Sequence, residues 1–314
     1  MYKMVEKLEW GPLATFVPNK KEPVYNWFYY KEGFARGLVL NLLKQLHAGK
    51  GHWVLDPFCG VGTTMLACRE SGVNSIGFDV HPVSVFVSMV KTRRYDTGIL
   101  KEEAKRILRM RFERPVEMPR DSLFRRAFKR QTLEDAVFFR DEIMRIENGD
   151  VRDFFMLALM NVTMKCSYVY KDGAVLKFRK KPVPPLRDML RRQVFRMIRD
   201  IEGFRTEKCE TIVGFGDARK LKLRDETIDF IITSPPYLNK IEYSKIYEIE
   251  QRLFLDFVQE KPPIRSYIGL ERVKGGSGLE NILGEEAQNL PEEAKPYFLD
   301  MHRAISEMWR VCRK

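Results

Sequence analysis

The stretch HWVLDPFCGVGTTMLACRESG, His52 to Gly72, constrains the possible fold more than any other part of the chain. It predicts a short apolar strand, a glycine-containing turn, and a helix that begins at Thr63 and Thr64 and ends near Gly72. A second strand follows directly in NSIGFDV. Strand, helix and strand in this order open a βαβ unit, and parallel sheets built from such units bind ligands at the carboxyl ends of their strands. We therefore predict an α/β fold with a mostly parallel sheet flanked by helices.

Two later segments repeat the pattern of a short strand that ends in a polar loop. They are TIVGFGDARKL and TIDFIITSPPY, and the second runs from apolar and β-branched residues straight into two prolines. We divide the chain accordingly into an N-terminal part with the first half of the sheet (residues 1–90), an insertion (91–210), and a second half with the proline loop (211–314).

The insertion is basic and is predicted to be mainly helical. It contains 30 Lys and Arg against 19 Asp and Glu, so it carries nearly all of the net charge of +12. A localised positive surface favours a polyanionic partner such as nucleic acid. We expect its phenylalanines to be core residues rather than platforms for base stacking: Phe124, Phe128, Phe138, Phe139, Phe154 and Phe155.

Cysteine spacing and hydropathy exclude several classes of protein. The five cysteines form no C-x-x-C pair and have no histidine at ligand spacing, which argues against a zinc knuckle and a disulfide framework. The start of the sequence lacks the apolar core of a signal peptide, and no run approaches 18 apolar residues. We expect a cytoplasmic protein with reduced thiols, no metal site and no membrane span.

The motif LDPFCGVGTT resembles motif I of the S-adenosylmethionine-dependent amino-methyltransferases of nucleic acids, the N4-cytosine and N6-adenine family. This resemblance implies a Rossmann-like class I methyltransferase fold with S-adenosyl-L-methionine as the cofactor. It also implies that Asp56 organises the glycine loop and the cofactor amino group, that Asp79 receives the ribose hydroxyls, and that Asp217 accepts the adenine amino group. As alternatives, Asp79 is a helix cap and Asp217 a turn residue. The remaining expected cofactor-binding residues are Tyr30, Lys31, Phe34, Pro57, Phe58, Gly60, Gly62, Thr63, Thr64 and Ala218.

The tetrapeptide Ser234-Pro235-Pro236-Tyr237 fits the catalytic S/N/D-P-P-Y/F/W motif of the same family. Prolines fix φ and cannot donate to a sheet, so such a loop is rigid. In the family the Ser234 hydroxyl and the Pro235 carbonyl would accept the hydrogens of the target amine, and Tyr237 would stack on the everted base. A serine at the first position favours N4 of cytosine over N6 of adenine.

Substrate contacts are predicted from three further stretches. Asn239 and Tyr243 lie in a continuation of the catalytic motif that resembles the family pattern. In KFRKKPVPP, basic and aromatic residues alternate, so Lys177, Arg179 and Lys180 are candidates for the nucleic-acid backbone, with a solvated hairpin end as the alternative. Arg265 is a candidate for a phosphate contact, or belongs to a surface turn.

The resemblance covers roughly residues 20–90 and 210–260, and it leaves several questions open. Three further strands that it implies are not recognisable after the catalytic loop. Either the given sequence omits a C-terminal portion, or a partner chain or self-association completes the sheet, or this member is reduced. The basic insertion resembles no target-recognition region, so we prefer structured RNA, including ribosomal RNA, with DNA as the alternative. A C5-cytosine methyltransferase and a catalytically idle nucleic-acid-binding scaffold are further alternatives.

Overall fold

The computed structural model describes residues 6–172, 175–238, 243–256, 268–269, 284 and 290–314. Its centre is a sheet of four parallel strands: β1 (Trp53–Asp56), β2 (Asn74–Asp79), β5 (Thr211–Phe215) and β6 (Phe230–Ile231). Their order across the sheet is β5-β2-β1-β6, and β1 pairs with β2 from Trp53 opposite Asn74 to Asp56 opposite Gly77. This arrangement confirms the predicted α/β class with a parallel sheet.

The first βαβ unit has the predicted bounds. Helix α2 (Thr63–Ser71) follows Gly62 and ends at Gly72, whose φ of +68° lets its N–H bond the carbonyl of Cys68. Such a left-handed C-cap is typical of glycine. Helix α3 (Pro82–Thr92) begins after β2, with Pro82 in its first turn. Both helices therefore start at the carboxyl edge of the sheet, where the ligand of a parallel sheet is expected.

The N-terminal segment covers one side of these helices. It forms three short 3₁₀ turns (Leu8–Ala14, Val17–Lys21 and Tyr25–Trp27), followed by helix α1 (Arg36–Gln45). Arg36 anchors α1 to α2 through an ion pair of 2.6 Å with Glu70. The chain between the turns and α1 is thereby held beside the glycine-containing loop.

The insertion is mainly helical, as predicted, and also contains a hairpin. Its elements are α4 (Thr97–Arg109), α5 (Ser122–Ala127), α6 (Arg130–Met144), α7 (Gly149–Lys165), the antiparallel strands β3 (Val169–Asp172) and β4 (Val175–Phe178), and α8 (Leu186–Gly203). Asp96, Asp121 and Asn148 cap three of the helices by accepting hydrogen bonds from backbone N–H groups of the first turn. All six phenylalanines assigned to the core are buried, which confirms that assignment.

The insertion shares its core with the N-terminal part. The Phe154 ring contacts Trp27 edge to face at 5.6 Å, and the Asn161 side chain donates to the Trp27 carbonyl at 2.7 Å. A single cluster of buried side chains joins α3, the 3₁₀ turns and the helices of the insertion. Because the buried core is continuous across residue 91, the first two predicted segments do not form separate cores.

Beyond the Ser234-Pro235-Pro236-Tyr237 tetrapeptide, the described chain forms the short helices α9 (Tyr243–Ile246) and α10 (Glu248–Glu250), a π-helical turn (Gln251–Leu255) and the long helix α11 (Lys295–Val311). The last of these is the amphipathic helix expected from its sequence. After it, Cys312 forms a parallel bridge with Ile228, beside β6. Within the described ranges, none of the helices combines the length and the apolar character needed to cross a lipid bilayer.

Candidate active site

A cavity of about 1130 Å³, including the part open to solvent, lies at the carboxyl edge of the sheet. We call it the main cavity. Its wall contains residues that follow each of the four parallel strands: Pro57 after β1, Val80 after β2, Gly216 after β5 and Ser234 after β6. Because the strands are parallel, loops far apart in sequence meet at this one edge.

Thirteen of the predicted site residues line the main cavity. They come from the N-terminal segment, the glycine loop, the ends of β2 and β5, and the proline loop: Tyr30, Phe34, Pro57, Phe58, Gly60, Thr63, Asp79, Asp217, Ala218, Ser234, Pro235, Pro236 and Tyr237. Four predicted cofactor residues do not line it: Lys31, Asp56, Gly62 and Thr64. Cofactor and catalytic candidates therefore share one space, although their individual roles stay predictions.

The glycine loop has the backbone that its sequence predicts. Gly60 and Gly62 have φ values of +49° and +83°, which side-chain-bearing residues rarely adopt. A Cβ on Gly60 would lie 3.2 Å from the Tyr30 ring, and one on Gly62 would lie 2.5 Å from the Ser88 hydroxyl. Gly60 thus lets the ring of Tyr30 approach the loop, and Gly62 lets α2 pack against α3.

Asp56 holds the loops together from behind the cavity wall. Its carboxylate is buried and accepts hydrogen bonds from the Thr64 hydroxyl at 2.7 Å, the Thr233 hydroxyl at 2.7 Å and the Phe58 N–H at 3.2 Å. Burial raises the pKa of Asp56 to about 6, although the three hydrogen bonds oppose this effect. Through these contacts Asp56 joins the glycine loop, the start of α2 and the residue before the proline loop.

Asp79 faces the main cavity and also fixes the glycine loop. Its Oδ2 accepts from the Gly60 N–H at 2.9 Å, and its Oδ1 accepts from the His81 N–H at 2.8 Å. A carboxylate has about four lone-pair positions, so Asp79 keeps the capacity to accept from ligand hydroxyls. Burial raises its pKa to about 6, against the opposing effect of its backbone hydrogen bonds.

Asp217 lines the main cavity, but its carboxylate is engaged by a residue that sequence reasoning missed. The Arg219 guanidinium contacts both carboxylate oxygens at 2.7–3.1 Å, and it also reaches Asp300 at 3.0 Å. The backbone N–H of Arg219 is a further donor to Oδ1, at 2.9 Å. These bonds occupy the lone-pair positions of Asp217 in this structure, so its predicted contact with adenine would compete with Arg219.

The proline loop is anchored on both sides. The Tyr297 hydroxyl of α11 donates to the Pro236 carbonyl at 2.9 Å, and Thr233 donates to Asp56. Between these anchors Ser234 and Pro235 face the main cavity. Tyr237 is 61% exposed, so its ring is accessible to an incoming planar group.

An aromatic stack supports the cavity wall at Tyr30. The Tyr30 ring stacks on Tyr247, with centroids 5.7 Å apart and an interplanar angle of 18°. The Tyr247 ring is buried, and the Lys171 ammonium of the hairpin lies 3.5 Å from its centroid. Lys171 in turn pairs with the buried Glu250 at 2.6 Å. This stack connects the basic insertion to the main cavity, and no motif in the sequence indicated it.

The predicted substrate residues lie elsewhere or outside the described residues. Lys177 is on β4 and pairs with Asp172 across the hairpin at 2.5 Å, while Arg179 and Lys180 are exposed just after β4. None of these three lines the main cavity. Asn239 and Arg265 fall outside the described residues, and of Tyr243 only the backbone, at the start of α9, is described.

The charge of the cavity wall suits a cationic ligand. Among the described residues that line it there are three carboxylates, from Glu32, Asp79 and Asp217, and neither Lys nor Arg. His81 also contributes to the wall, and its buried Nε2 has no hydrogen-bond partner among the residues that the structure describes. No signal in the sequence indicated Glu32 or His81 as residues of the cavity wall.

The parallel order of the sheet, the left-handed glycine loop at the start of α2 and the acidic ends of β2 and β5 define a Rossmann-like methyltransferase fold with its nucleotide-binding edge. Sequence similarity to known proteins indicates which methyltransferases the chain resembles. A family model described as DNA methylase (N6_N4_Mtase) matches residues 12–88. This match supports the resemblance to the N4-cytosine and N6-adenine methyltransferase family that the motifs indicate.

Curated relatives are all named Type II methyltransferases. M.BsoBI of Geobacillus stearothermophilus is 28% identical over 277 residues, which cover 76% of this chain and 54% of the relative. M.AvaI of Nostoc sp. is 25% identical over 276 residues, covering 77% and 56%. M.MjaII of Methanocaldococcus jannaschii is 36% identical over 102 residues, covering 32% and 19%. The chain thus spans about half the length of the first two relatives.

Methyltransferases of this family use S-adenosyl-L-methionine, and the main cavity suits this cofactor. The carboxylates of Glu32 and Asp79 in its wall complement the positive sulfonium and ammonium groups, whereas Arg219 neutralises Asp217. Gly60 has a φ of +49° and no side chain, so its backbone at the cavity wall is open to close approach by a ligand. Asp79 would hold the ribose, and Tyr30 and Phe34 would contact the methionine end.

Proposed function

We propose that this chain carries the methyl-transfer site of an amino-methyltransferase that modifies N4 of cytosine in nucleic acid. The observation that carries the proposal is that Ser234 and Tyr237 share the main cavity with Gly60 and Asp79. Had the proline loop been buried away from the glycine loop, the enzymatic interpretation would have failed.

The proline loop is suited to activating an amine. The lone pair of an exocyclic amino nitrogen is delocalised into the base, which makes the nitrogen a poor nucleophile. The Ser234 hydroxyl and the Pro235 carbonyl would accept the two amine hydrogens, and so favour a tetrahedral nitrogen whose lone pair faces the cofactor site. S-adenosyl-L-methionine, when bound, supplies an electrophilic methyl group on its sulfonium. Rigidity is needed because an acceptor displaced by about 1 Å loses most of this effect, and the anchors at Thr233 and Tyr297 supply it.

Tyr237 is placed to receive a base from outside. Its ring is largely exposed, although it forms part of the cavity wall. A base that leaves its helix loses stacking with its neighbours, and stacking on an aromatic ring replaces part of it. We therefore assign Tyr237 to the everted base.

Ser234 favours N4 of cytosine over N6 of adenine, and the state of Cys59 argues against methylation at C5 of cytosine. Serine at the first position of the motif is more typical of N4-cytosine than of N6-adenine members of the resembled family. The thiol that C5 methylation would need is not supported, because Cys59 is buried and its burial raises the pKa of the thiol well above the usual value.

The substrate polymer is proposed to be DNA. The description of the family model, DNA methylase, supports DNA over the structured RNA that sequence analysis preferred. The basic insertion reaches the wall of the main cavity, because its hairpin packs through Lys171 against Tyr247. The excess of Lys and Arg over Asp and Glu in the insertion, 30 against 19, suits the phosphate backbone of a nucleic acid.

The proposal is tested by incubating the protein with cofactor labelled in its methyl group and with duplex DNA, ribosomal RNA or ribosomal subunits, followed by mass spectrometry of the nucleosides. We expect N4-methylcytosine in DNA. Label in RNA alone would overturn the choice of DNA, and N6-methyladenine would overturn that of cytosine. Binding of nucleic acid with no methyl incorporation into any substrate would instead support the non-catalytic scaffold.

Variants at the proposed site are compared with variants of the same residue type elsewhere, which distinguishes loss of catalysis from general effects on the protein. Ser234→Ala and Tyr237→Ala should each lower methyl transfer at least tenfold, by loss of a positioned hydrogen bond or of base stacking. Their controls are Ser122→Ala on α5 and Tyr170→Ala on β3, which are exposed residues outside the main cavity. Equal activity in site and control variants would contradict the assignment.

A further inference from the structure

A second cavity lies among the C-terminal ends of α2, α3 and α8. We call it the basic cavity. Its charged lining residues are Arg69, Lys91, Arg93 and Arg94, and the lining that the structure describes includes no Asp or Glu. It shares no lining residue with the main cavity. The two are therefore separate sites.

Arg69 is the unusual member of this group. It is only 6% exposed, and the one hydrogen bond found for it among the described residues is to the Arg93 carbonyl at 3.4 Å. No carboxylate of the described chain lies within ion-pair distance of its guanidinium. Burying a charge without a partner is costly, so proteins rarely retain such a residue unless something neutralises it.

The neighbouring basic side chains supply further hydrogen-bond donors. Arg94 is exposed at the rim, and its guanidinium donates to the Glu207 carbonyl at 3.4 Å. Lys91 is buried and donates to the carbonyls of Tyr25 at 3.0 Å and Val61 at 3.3 Å, which leaves one N–H of the ammonium. Only Arg93 is neutralised, by Asp153 at 2.6 Å and Asp150 at 3.2 Å.

We propose that the basic cavity binds a phosphate oxyanion, held by Arg69 and Arg94 with Lys91 at its base. A guanidinium presents N–H donors in a planar fork that matches two oxygens of a phosphate group. A tetrahedral oxyanion would therefore use donors from both arginines and would neutralise the charge buried at Arg69. The cavity encloses about 510 Å³, including the part open to solvent, which is ample for such a group.

The position of the cavity favours a small free anion over the backbone of the nucleic-acid substrate. The N-terminus of α2 is at the main cavity, whereas Arg69 is near its C-terminus. The nine residues of α2 separate these ends by about 13 Å at the usual helical rise. A phosphate in the basic cavity thus lies behind the glycine loop and not at the mouth where a base would enter.

Calorimetric titration with inorganic phosphate at constant ionic strength tests this proposal. The wild-type protein should bind one phosphate, and both Arg69→Gln and Arg94→Gln should weaken binding about tenfold through loss of charge-assisted hydrogen bonds. Arg109→Gln, at the exposed C-terminal end of α4, is the matched control and should bind as the wild type does. Circular dichroism and thermal unfolding without phosphate establish that each variant is folded. If Arg69→Gln does not fold, Arg94→Gln still tests the proposal, because Arg94 is exposed and its replacement should not disturb folding.

Three results would overturn the proposal. The first is absence of phosphate binding by the wild type, and the second is equal binding by all four proteins. The third comes from a parallel titration with duplex DNA: if both cavity variants weaken DNA binding while the wild type ignores free phosphate, these cations serve the polymer backbone. None of these readouts depends on methyl transfer.

Discussion

The Thr233 hydroxyl donates a hydrogen bond of 2.7 Å to Oδ1 of Asp56. Thr233 immediately precedes the catalytic tetrapeptide, and Asp56 ends β1 just before the glycine loop. The two motifs that sequence analysis treated as separate signals are thus joined by one contact beneath the cavity floor. Since Asp56 is buried, this bond both positions the proline loop and solvates a carboxylate that water does not reach.

Replacement of Thr233 by Val should therefore affect stability and activity together. Removing one donor to a buried carboxylate is expected to cost about 1–3 kcal/mol in the free energy of unfolding. The freed proline loop should lower the rate of methyl transfer about tenfold or more. Urea unfolding and initial-rate measurements check both effects. Thr227→Val, which removes an exposed hydroxyl bonded to the Arg224 carbonyl, is the control and should change neither.

Asp79 predicts a pH dependence of cofactor binding. Its pKa of about 6 means that the carboxylate is ionised at pH 7.5 and mostly protonated at pH 5. Only the ionised form fully accepts ribose hydroxyls and attracts a cation, so cofactor affinity should fall about tenfold from pH 7.5 to 5. Calorimetric titration at several pH values measures this change.

The Asp79→Asn variant identifies the titrating group. Asp56 has a similar pKa but lies outside the cavity wall. If Asp56 caused the change in cofactor affinity, the pH dependence would persist in the Asp79→Asn variant. We expect Asp79→Asn to bind the cofactor weakly at every pH, so that its affinity changes little between pH 5 and 7.5. Asp188→Asn, at an exposed position of α8, should keep the wild-type profile. An unchanged slope in the Asp79 variant would assign the effect to another group.

The strands and the glycine loop could be predicted because their signals are local. Apolar runs ending at Asp56 and Asp79 give the strands, and Gly62 and Gly72 bound the helix between them. The topology of a parallel sheet then brings the strand ends together without further information. The final strand is shorter than its apolar run suggested, since β6 comprises only Phe230 and Ile231 and the chain leaves the ladder before Thr233.

The partners of the site residues could not be predicted, because they depend on tertiary packing. Arg219 is only two residues from Asp217, yet the sequence alone does not distinguish it from other nearby basic residues as the ion-pair partner of that carboxylate. Tyr247 reaches the cavity wall by stacking on Tyr30, more than 200 positions earlier in the chain. A buried aromatic residue in a helix gives the same apolar signal whether it supports a site or fills a core.

Gly62 should tolerate no side chain, for steric reasons. In Gly62→Ala the new Cβ would meet the Ser88 hydroxyl at 2.5 Å and would also require φ of +83°. We expect a loss of about 1–3 kcal/mol in the free energy of unfolding, from backbone strain and overpacking between α2 and α3. Gly203→Ala at the end of α8, where a Cβ would meet nothing within 4 Å, should be neutral in the same urea titration. Comparable losses in both variants would exclude the steric explanation.

Lys91 predicts that the protein becomes more stable as pH rises above neutrality. Burial lowers the pKa of Lys91 from its ordinary 10.5 to about 7. Between these values the unfolded chain still binds a proton that the folded protein has released, so the free energy of unfolding should rise by up to ~1.4 kcal/mol per pH unit. Urea unfolding from pH 7 to 9.5, in buffers without phosphate, measures this slope. Lys91→Met should remove this contribution, whereas Lys105→Met on the exposed face of α4 should retain it. A wild-type slope that survives in Lys91→Met would show that the buried ammonium is not its source.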